Sequence, residues 1–211
     1  MYVPHFNAIP DEAGLRALVA GVATAQLVTV GSDGYPLVTF LPILWEGDTV
    51  IAHMARANPH WKQIGDGAPA VVVATGPDAY VSPSWYASKA EHGRVVPTWN
   101  YSAVELVGRA RIHEDPQWLR TAVDALVTRH EGHRPQPWSS DDAPQRYLEG
   151  QLRAIVGVEV TVERVEGKAK LSQNRSEADR QGVVAGLRGE DSPAAAVVAE
   201  AVDAALRGAG Q

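Results

Sequence analysis

A segment in the first third of the chain combines residue types suited to an anionic ligand. His53-Met54-Ala55 ends a β-rich run, and Asn58-Pro59 supplies the cap and the first-turn proline of a short helix through Ile64. Unpaired amides at a helix start attract anions, and Arg56 lies close by in the sequence. The segment predicts a phosphate site at Arg56 and Asn58. The alternative is that Asn58 is only a cap and Arg56 only a solvated charge.

Thr39-Phe40-Leu41-Pro42 is a second segment that could hold a ligand. Proline cannot donate a hydrogen bond to a neighbouring strand, so Pro42 predicts an edge strand or an interrupted ladder. Backbone groups left unpaired at such an interruption could bind a ring that offers N–H and C=O groups, as a flavin does. The alternative is an edge strand protected from aggregation.

Two further segments combine aromatic or polar residues with cations. Aromatic rings beside cations can stack on a planar ligand, and they are also enriched in dimer interfaces. Trp85, Tyr86, Trp99 and Tyr101 flank a loop-like stretch that contains Lys89 and Arg94. Lys170 to Arg175 offers several polar donors after the last predicted strand, and its alternative interpretation is an ordinary loop.

The composition excludes several classes of site. The sequence has no cysteine, which rules out disulfides, thiolate nucleophiles and iron–sulfur clusters. None of its 7 histidines forms an H-x-x-x-H or H-E-x-x-H pair, so we predict no metal site. G-x-G-x-x-G, P-loop and G-x-S-x-G motifs are absent as well. The net charge of -6 opposes nucleic-acid binding, and nothing resembles a signal peptide or a membrane span, so we expect a cytoplasmic protein.

Hydrophobic periodicity and turn residues predict an α+β fold. Turns at Ser32-Asp33-Gly34 and Glu46-Gly47-Asp48 join successive β-rich runs, which favours an antiparallel sheet. Residues 87–96 are predicted to form a loop. The predicted strands are 25–30, 36–44, 49–55, 68–75, 79–85, 98–113 and 156–162, and the predicted helices are 10–22, 58–64, 116–131, 145–153, 177–187 and 193–206.

Together these segments resemble the PaiB family of FMN-binding proteins, which are described as negative transcriptional regulators. The resemblance implies an antiparallel split β-barrel of the pyridoxamine-phosphate-oxidase-like kind, with flanking helices and a helical C-terminal tail. It also implies a homodimer with the cofactor at its interface. We predict a cofactor-binding domain at 1–175 and a C-terminal helical extension at 176–211, packed on the barrel or the dimer. The resemblance is carried by Met1-Tyr2-Val3-Pro4-His5-Phe6, Thr39-Phe40-Leu41-Pro42, residues 53–59, Tyr80-Val81-Ser82-Pro83-Ser84-Trp85-Tyr86, Val96-Pro97-Thr98-Trp99-Asn100-Tyr101 and Lys170-Leu171-Ser172-Gln173-Asn174-Arg175.

The resemblance also implies a set of cofactor-binding residues. Thr39, Phe40 and Leu41 would lie along the flavin ring, and His53, Met54 and Ala55 would line the neighbouring strand. Arg56 and Asn58 would approach the phosphate. The site would be completed by Trp99, Asn100 and the 170–175 segment, in which Lys170, Gln173 and Arg175 are the candidate residues. The partner subunit is one source of these side chains. The chain departs from the family at Phe40 and Glu105, where the family usually has histidine, so any role of those histidines would be lost here.

Three functions stay open at this point. The first is a flavin-binding negative regulator that acts through flavin or another small ligand rather than through a DNA-binding helix. The second is a flavin-dependent oxidoreductase with a proton donor such as His53 or Glu105. The third is a haem-binding split-barrel enzyme that resembles piperazate synthase, for which His53, His60 and His92 are candidate ligands by location.

Overall fold

The computed structural model describes residues 1–208. Its strands close into an antiparallel barrel in the order β1-β2-β3-β6-β5-β4. The strands are β1 (Thr24–Val30), β2 (Pro36–Glu46), β3 (Thr49–Ala55), β4 (Ala68–Val81), β5 (Thr98–His113) and β6 (Ile155–Lys170). The α-helices are α1 (Glu12–Val22), α2 (Ser88–His92), α3 (Pro116–Glu131), α4 (Gln145–Arg153), α5 (Glu177–Arg188) and α6 (Pro193–Gly208). Short 3₁₀ helices span His5–Asn7, Pro59–Gln63, Pro83–Trp85 and Ser140–Asp142.

Turn chemistry explains the first two hairpins. Gly34 and Gly47 have positive φ values of 83° and 52°, which glycine adopts without steric cost. β1 pairs with β2 from Val30↔Pro36 to Thr24↔Pro42, and β2 pairs with β3 from Glu46↔Thr49 to Ile43↔Ala52. Both pairings are antiparallel, as the short turns predicted.

Four predicted elements differ from the observed ones. The strands predicted at 68–75 and 79–85 are replaced by one strand, β4, because the chain stays extended through Gly76, where a Cβ would overlap the Ser102 side chain. β4 ends at Val81, and the end of the second predicted strand is the 3₁₀ helix Pro83–Trp85. The predicted 87–96 loop contains α2, which ends at Gly93 with φ 67°. β6 continues beyond position 162 and ends at Lys170, so this lysine belongs to the strand.

Residue contacts divide the chain into two compact units. Unit 1 comprises Met1–Leu18, Thr75–Val104 and the chain from Glu166 onward, and unit 2 comprises Val19–Ala74 and Glu105–Val165. Unit 1 has an apolar cluster that includes Val183, Leu187, Val198 and Val202 of α5 and α6. In unit 2, the inward residues of the strands are buried, among them Leu27, Leu41, Ile43, Val50, Met54, Leu106 and Val158.

The domain boundary predicted at residue 175 stays a prediction. Residues 209–211, the end of the predicted extension, lie outside the described residues. Within 1–208, no helix is both long and apolar enough to cross a membrane.

Candidate functional site

In unit 2, the ladder between β2 and β3 stops in the middle of both strands. Its last pair is Ile43↔Ala52, one residue from Pro42, so the interruption predicted from that proline is present. If the same register continued, it would pair Pro42 with His53, Leu41 with Met54 and Phe40 with Ala55. We call the gap between Phe40–Pro42 and His53–Ala55 the ladder opening.

Other contacts fix both sides of the ladder opening. The opening's β2 side is held by β1, through Gln26↔Phe40 and Ala25↔Leu41. Its β3 side is held by β6, through His53↔Gly157 and Ala55↔Ile155. Because strand backbone groups alternate between the two edges, each side keeps N–H and C=O groups that the β2–β3 ladder does not use.

The residues predicted to line the flavin ring offer different chemical groups at the ladder opening. Leu41 and Met54 have buried side chains in the core, and their backbones pair with Ala25 of β1 and Val156 of β6, so the unused backbone groups belong to their neighbours. Phe40 is 64% exposed and offers an apolar ring. His53 is half-buried, and within residues 1–208 its Nδ1 has no hydrogen-bond partner although the atom is buried. Burial lowers the pKa of His53, which favours a neutral imidazole.

A buried polar network lies beside the opening. His60, 4% exposed, has Nε2 at 2.8 Å from Thr29 Oγ1 and Nδ1 at 2.7 Å from Thr39 Oγ1. Asn58 Nδ2 donates to Thr39 Oγ1 at 3.2 Å. Burial lowers the pKa of His60, and a neutral imidazole has one donor and one acceptor nitrogen, so both ring nitrogens are satisfied. We call Thr29, Thr39, Asn58 and His60 the His60 network.

The predicted phosphate residues have protein partners in the structure. Asn58 Oδ1 accepts the His60 N–H at 3.0 Å, which confirms the predicted cap and occupies that amide. The 3₁₀ helix that follows, Pro59–Gln63, is only 5 residues long. Arg56 donates to the carbonyl oxygens of Arg153 at 3.0 Å and Ile155 at 3.2 Å, and to Glu114. The phosphate contact of Arg56 and Asn58 stays a prediction.

The remaining predicted residues lie in unit 1. Asn100 is fully buried, with its amide within 3.1 to 3.2 Å of the Ser172 hydroxyl. Gln173 bonds within its own turn, to the N–H of Leu171 at 2.7 Å and the carbonyl of Ala169 at 2.5 Å. Lys170 donates to Thr98 Oγ1 and to the carbonyl of Trp99, and the Arg175 guanidinium lies 4.6 Å from the centroid of the Tyr86 ring.

The two positions that depart from the family pattern lie on different strands. Phe40 is on β2 at the ladder opening, and its exposed ring is at the position where the resemblance implies a histidine. Glu105 is on β5 and is half-buried. Sequence reasoning missed the His60 network, because no motif marks a histidine that two threonines hold.

The unused backbone groups at the ladder opening match the polar edge of a flavin ring in their hydrogen-bonding chemistry. A flavin ring presents an N–H donor and carbonyl acceptors, which match the unused backbone groups of Phe40–Pro42 and His53–Ala55. The buried, unpartnered Nδ1 of His53 is a further polar atom that a ligand could satisfy. No group of three or more His, Cys, Asp and Glu residues in the described part of the chain is arranged to hold a metal ion.

Sequence comparison connects this geometry with known proteins. A family model described as "Putative FMN-binding domain" matches residues 1–164. Protease synthase and sporulation protein PAI 2 from Bacillus subtilis is 31% identical over 211 residues, which cover 98% of this chain and 99% of that protein.

Structural comparison supports the barrel. The FAD and haem binding protein from Mycobacterium smegmatis matches with a TM-score of 0.60 and 19% identity, over 78% of this chain and 73% of that one. The flavocytochrome Anf3 from Azotobacter vinelandii matches with a TM-score of 0.53 and 20% identity, over 84% of this chain and 76% of that one. At these identities the likeness establishes the fold, a split barrel. With the family model and the full-length relative, it follows that the chain belongs to the PaiB family of FMN-binding proteins.

Proposed function

We propose that the chain binds FMN with the polar edge of the flavin ring at the ladder opening, and that it acts as a negative regulator through the bound flavin or another small ligand. The observation that carries the proposal is the interrupted pairing of β2 and β3, which stops at Ile43↔Ala52. Regulation through a ligand agrees with the net charge of -6, which opposes direct contact with DNA.

The chain's own residues would orient the ring and limit its access to water. Backbone groups of Phe40–Pro42 and His53–Ala55 would bind ring N–H and C=O groups, and Phe40 would offer an apolar contact surface. The His60 network would hold the β2 side of the opening in place through Thr39. When bound, FMN supplies hydride or electron transfer.

An oxidoreductase is the second candidate, and His53 is the observation that favours it. A neutral imidazole with an unpartnered ring nitrogen can hold or move a proton at Nδ1. Haem is the alternative cofactor. His60 does not suit an axial ligand role because both of its ring nitrogens are engaged, which leaves His53 and His92 of the three candidates.

Absorption spectra of the purified protein, with and without added cofactor, separate these candidates. We expect the absorption bands of added FMN to shift, relative to free FMN, when the protein is present. A Soret band with no flavin bands would contradict the FMN proposal. A mobility-shift assay at stated salt concentrations should show no more DNA binding than a non-specific control, since the proposed regulation needs no DNA-binding helix.

Hydrogen–deuterium exchange tests where the ring binds. FMN should slow amide exchange in peptides that contain residues 39–42 and 53–55, because ring acceptors would engage their free N–H groups. Peptides from β1, which is paired with β2 on one side and β4 on the other, serve as the internal control. Protection confined to other segments would refute the ladder opening as the ring site.

We also propose that the protein is a homodimer in the cytoplasm. The outward face of β1 and β2 carries exposed apolar side chains, namely Val30, Val38 and Phe40, with Tyr35 in the turn between the strands. A contiguous exposed apolar surface of this kind is typical of an interaction site. The absence of cysteine agrees with a reducing compartment.

A further inference from the structure

A buried lysine of β6 has no counter-ion within the described chain. Lys168 is only 9% exposed, and its Nζ lies 5.9 Å and 5.2 Å from the ring centroids of Tyr2 and Tyr101. Among residues 1–208, no carboxylate bonds to this ammonium group. Burying an unpaired ammonium is costly, and contacts with ring faces offset only part of that cost. The position therefore favours an additional, negatively charged partner.

Lys170 adds a second positive charge on the same face of β6, since strand residues two apart point the same way. Its Nζ donates to Thr98 Oγ1 and to the carbonyl oxygen of Trp99 at 2.6 Å, and both acceptors are neutral. Burial lowers the pKa of Lys170; Tyr101 opposes this shift, and the charges of Lys168 and Arg175 add to it. Bound negative charge would reduce this repulsion.

Two acidic residues of unit 1, Glu166 of β6 and Asp179 of α5, are already engaged. Glu166 Oε2 accepts from the Met1 ammonium group at 2.6 Å. Asp179 accepts the N–H and the hydroxyl of Ser88, both at 2.9 Å. Because these carboxylates have other donors, they do not explain how the two lysines are neutralised.

Exposed aromatic rings accompany the two lysines. Tyr2, which contacts Lys168, is 83% exposed, and Trp99, whose carbonyl binds Lys170, is 52% exposed. The Trp99 ring meets Tyr80 edge to face at 6.0 Å, which restrains its orientation. A ligand with a flat organic group next to its anionic group would find both kinds of partner here.

We propose that Lys168 and Lys170, with the exposed rings of Tyr2 and Trp99, form a binding site for a phosphate monoester that carries an aromatic group. Two ammonium groups match the nearly double negative charge of such an ester at neutral pH. FMN is one ligand of this chemistry, and an FMN whose ring contacts Tyr2 and Trp99 here would be bound separately from the ladder opening. A second phosphorylated aromatic compound is the other source.

The test uses two pairs of ligands that differ only by phosphate. FMN and riboflavin are titrated by flavin fluorescence, and phenyl phosphate and phenol are titrated by calorimetry against the protein as purified. The variant Lys168→Met keeps the apolar stem and removes the charge, while Lys168→Arg keeps the charge. Lys62→Met, at an exposed lysine of the 3₁₀ helix Pro59–Gln63, is the matched control.

We expect Lys168→Met to weaken the binding of FMN, of phenyl phosphate or of both by about tenfold or more. The affinity for the matching compound without phosphate, riboflavin or phenol, should change by less than about twofold. Lys168→Arg should retain most of the affinity, and Lys62→Met should match the wild type. An effect on FMN alone identifies the cofactor as the ligand, and an effect on phenyl phosphate alone identifies a second compound.

Equal weakening of both members of each pair, or no weakening of either phosphate ester, would overturn the proposal. Thermal unfolding of each variant checks that the fold is retained. If the wild type binds neither flavin, the proposed function fails by itself, and the phenyl phosphate titration still decides whether this anion site exists.

Discussion

Thr39 connects the β2 side of the ladder opening to the His60 network. Thr39→Val removes the hydroxyl that Asn58 Nδ2 and His60 Nδ1 contact at 3.2 Å and 2.7 Å. The buried His60 and the half-buried Asn58 then each lose a partner, so we expect the free energy of unfolding to fall by about 1 to 3 kcal/mol in urea titrations. Thr161→Val, at an exposed position of β6, should change it by less than about 0.5 kcal/mol. Equal losses in the two variants would argue against the network.

His60 should make stability depend on pH. Its pKa in the folded protein is lowered by burial, so as pH falls below the ordinary value of 6.5 the unfolded chain takes up a proton that the folded chain does not. The free energy of unfolding therefore falls with pH until the folded pKa is reached, with a slope of at most about 1.4 kcal/mol per pH unit.

The variant His60→Gln should lose this contribution. We expect the unfolding free energy of the wild type minus that of His60→Gln to shrink between about pH 7 and about pH 5, measured by urea titration at each pH. Thr161→Val, which removes no titratable group, should follow the wild-type pH profile. A difference that stays constant across the range would show that His60 titrates alike in both states.

The sequence predicts single residues best when their partners are local. The cap at Asn58 was predictable because it binds His60, two positions away. The His60–Thr29 contact was not, because it joins residues 31 positions apart and depends on the pairing of β1 with β2. The same limit applies to Arg56, because its hydrogen-bond acceptors belong to Glu114, Arg153 and Ile155, which are distant from it in the sequence.

At the scale of elements, α3 is anchored to the sheet through Trp118. The Trp118 ring stacks on His113 with centroids 4.0 Å apart, and a Cβ at Gly157 would overlap it. Gly157 also pairs with His53, so this contact lies on the β3 side of the ladder opening. We expect Gly157→Ala to lower the free energy of unfolding by about 1 to 3 kcal/mol, as overpacking does.

Gly21→Ala is the matched control for that substitution. Gly21 lies in α1, and nothing stands within 4 Å of a Cβ added there. Alanine has the higher helix propensity, so this variant should be as stable as the wild type or more stable, by up to about 1 kcal/mol. In a protein that already carries Trp118→Leu, Gly157→Ala should lower the free energy of urea unfolding by less than it does in the wild type. An equal loss in both backgrounds would mean that the Trp118 ring is not the cause.

Element boundaries were predictable where sequence signals are strong and isolated. The bounds of β5 and α3 match the prediction, since Pro116 follows a long alternating run and Asp115 caps the helix. The prediction divided this region into strands at 68–75 and 79–85, yet β4 runs through Gly76, whose missing side chain leaves room for Ser102. The five-residue α2 is too short for a periodicity signal, and Asp179 holds its first residue by two hydrogen bonds.

At the scale of the whole molecule, the proposed homodimer gives the apolar face of β1 and β2 a partner. Phe40 and Val38 are 64% and 60% exposed and lie on the same side of β2. Charge at the centre of an apolar interface is strongly unfavourable, so Phe40→Asp should convert the dimer to monomer in sedimentation velocity experiments. Tyr147→Asp, at a 60% exposed aromatic of α4, should leave the dimer intact. A Phe40→Asp protein that sediments as the wild-type dimer would place the interface on another surface, and a monomeric wild type would remove the dimer itself.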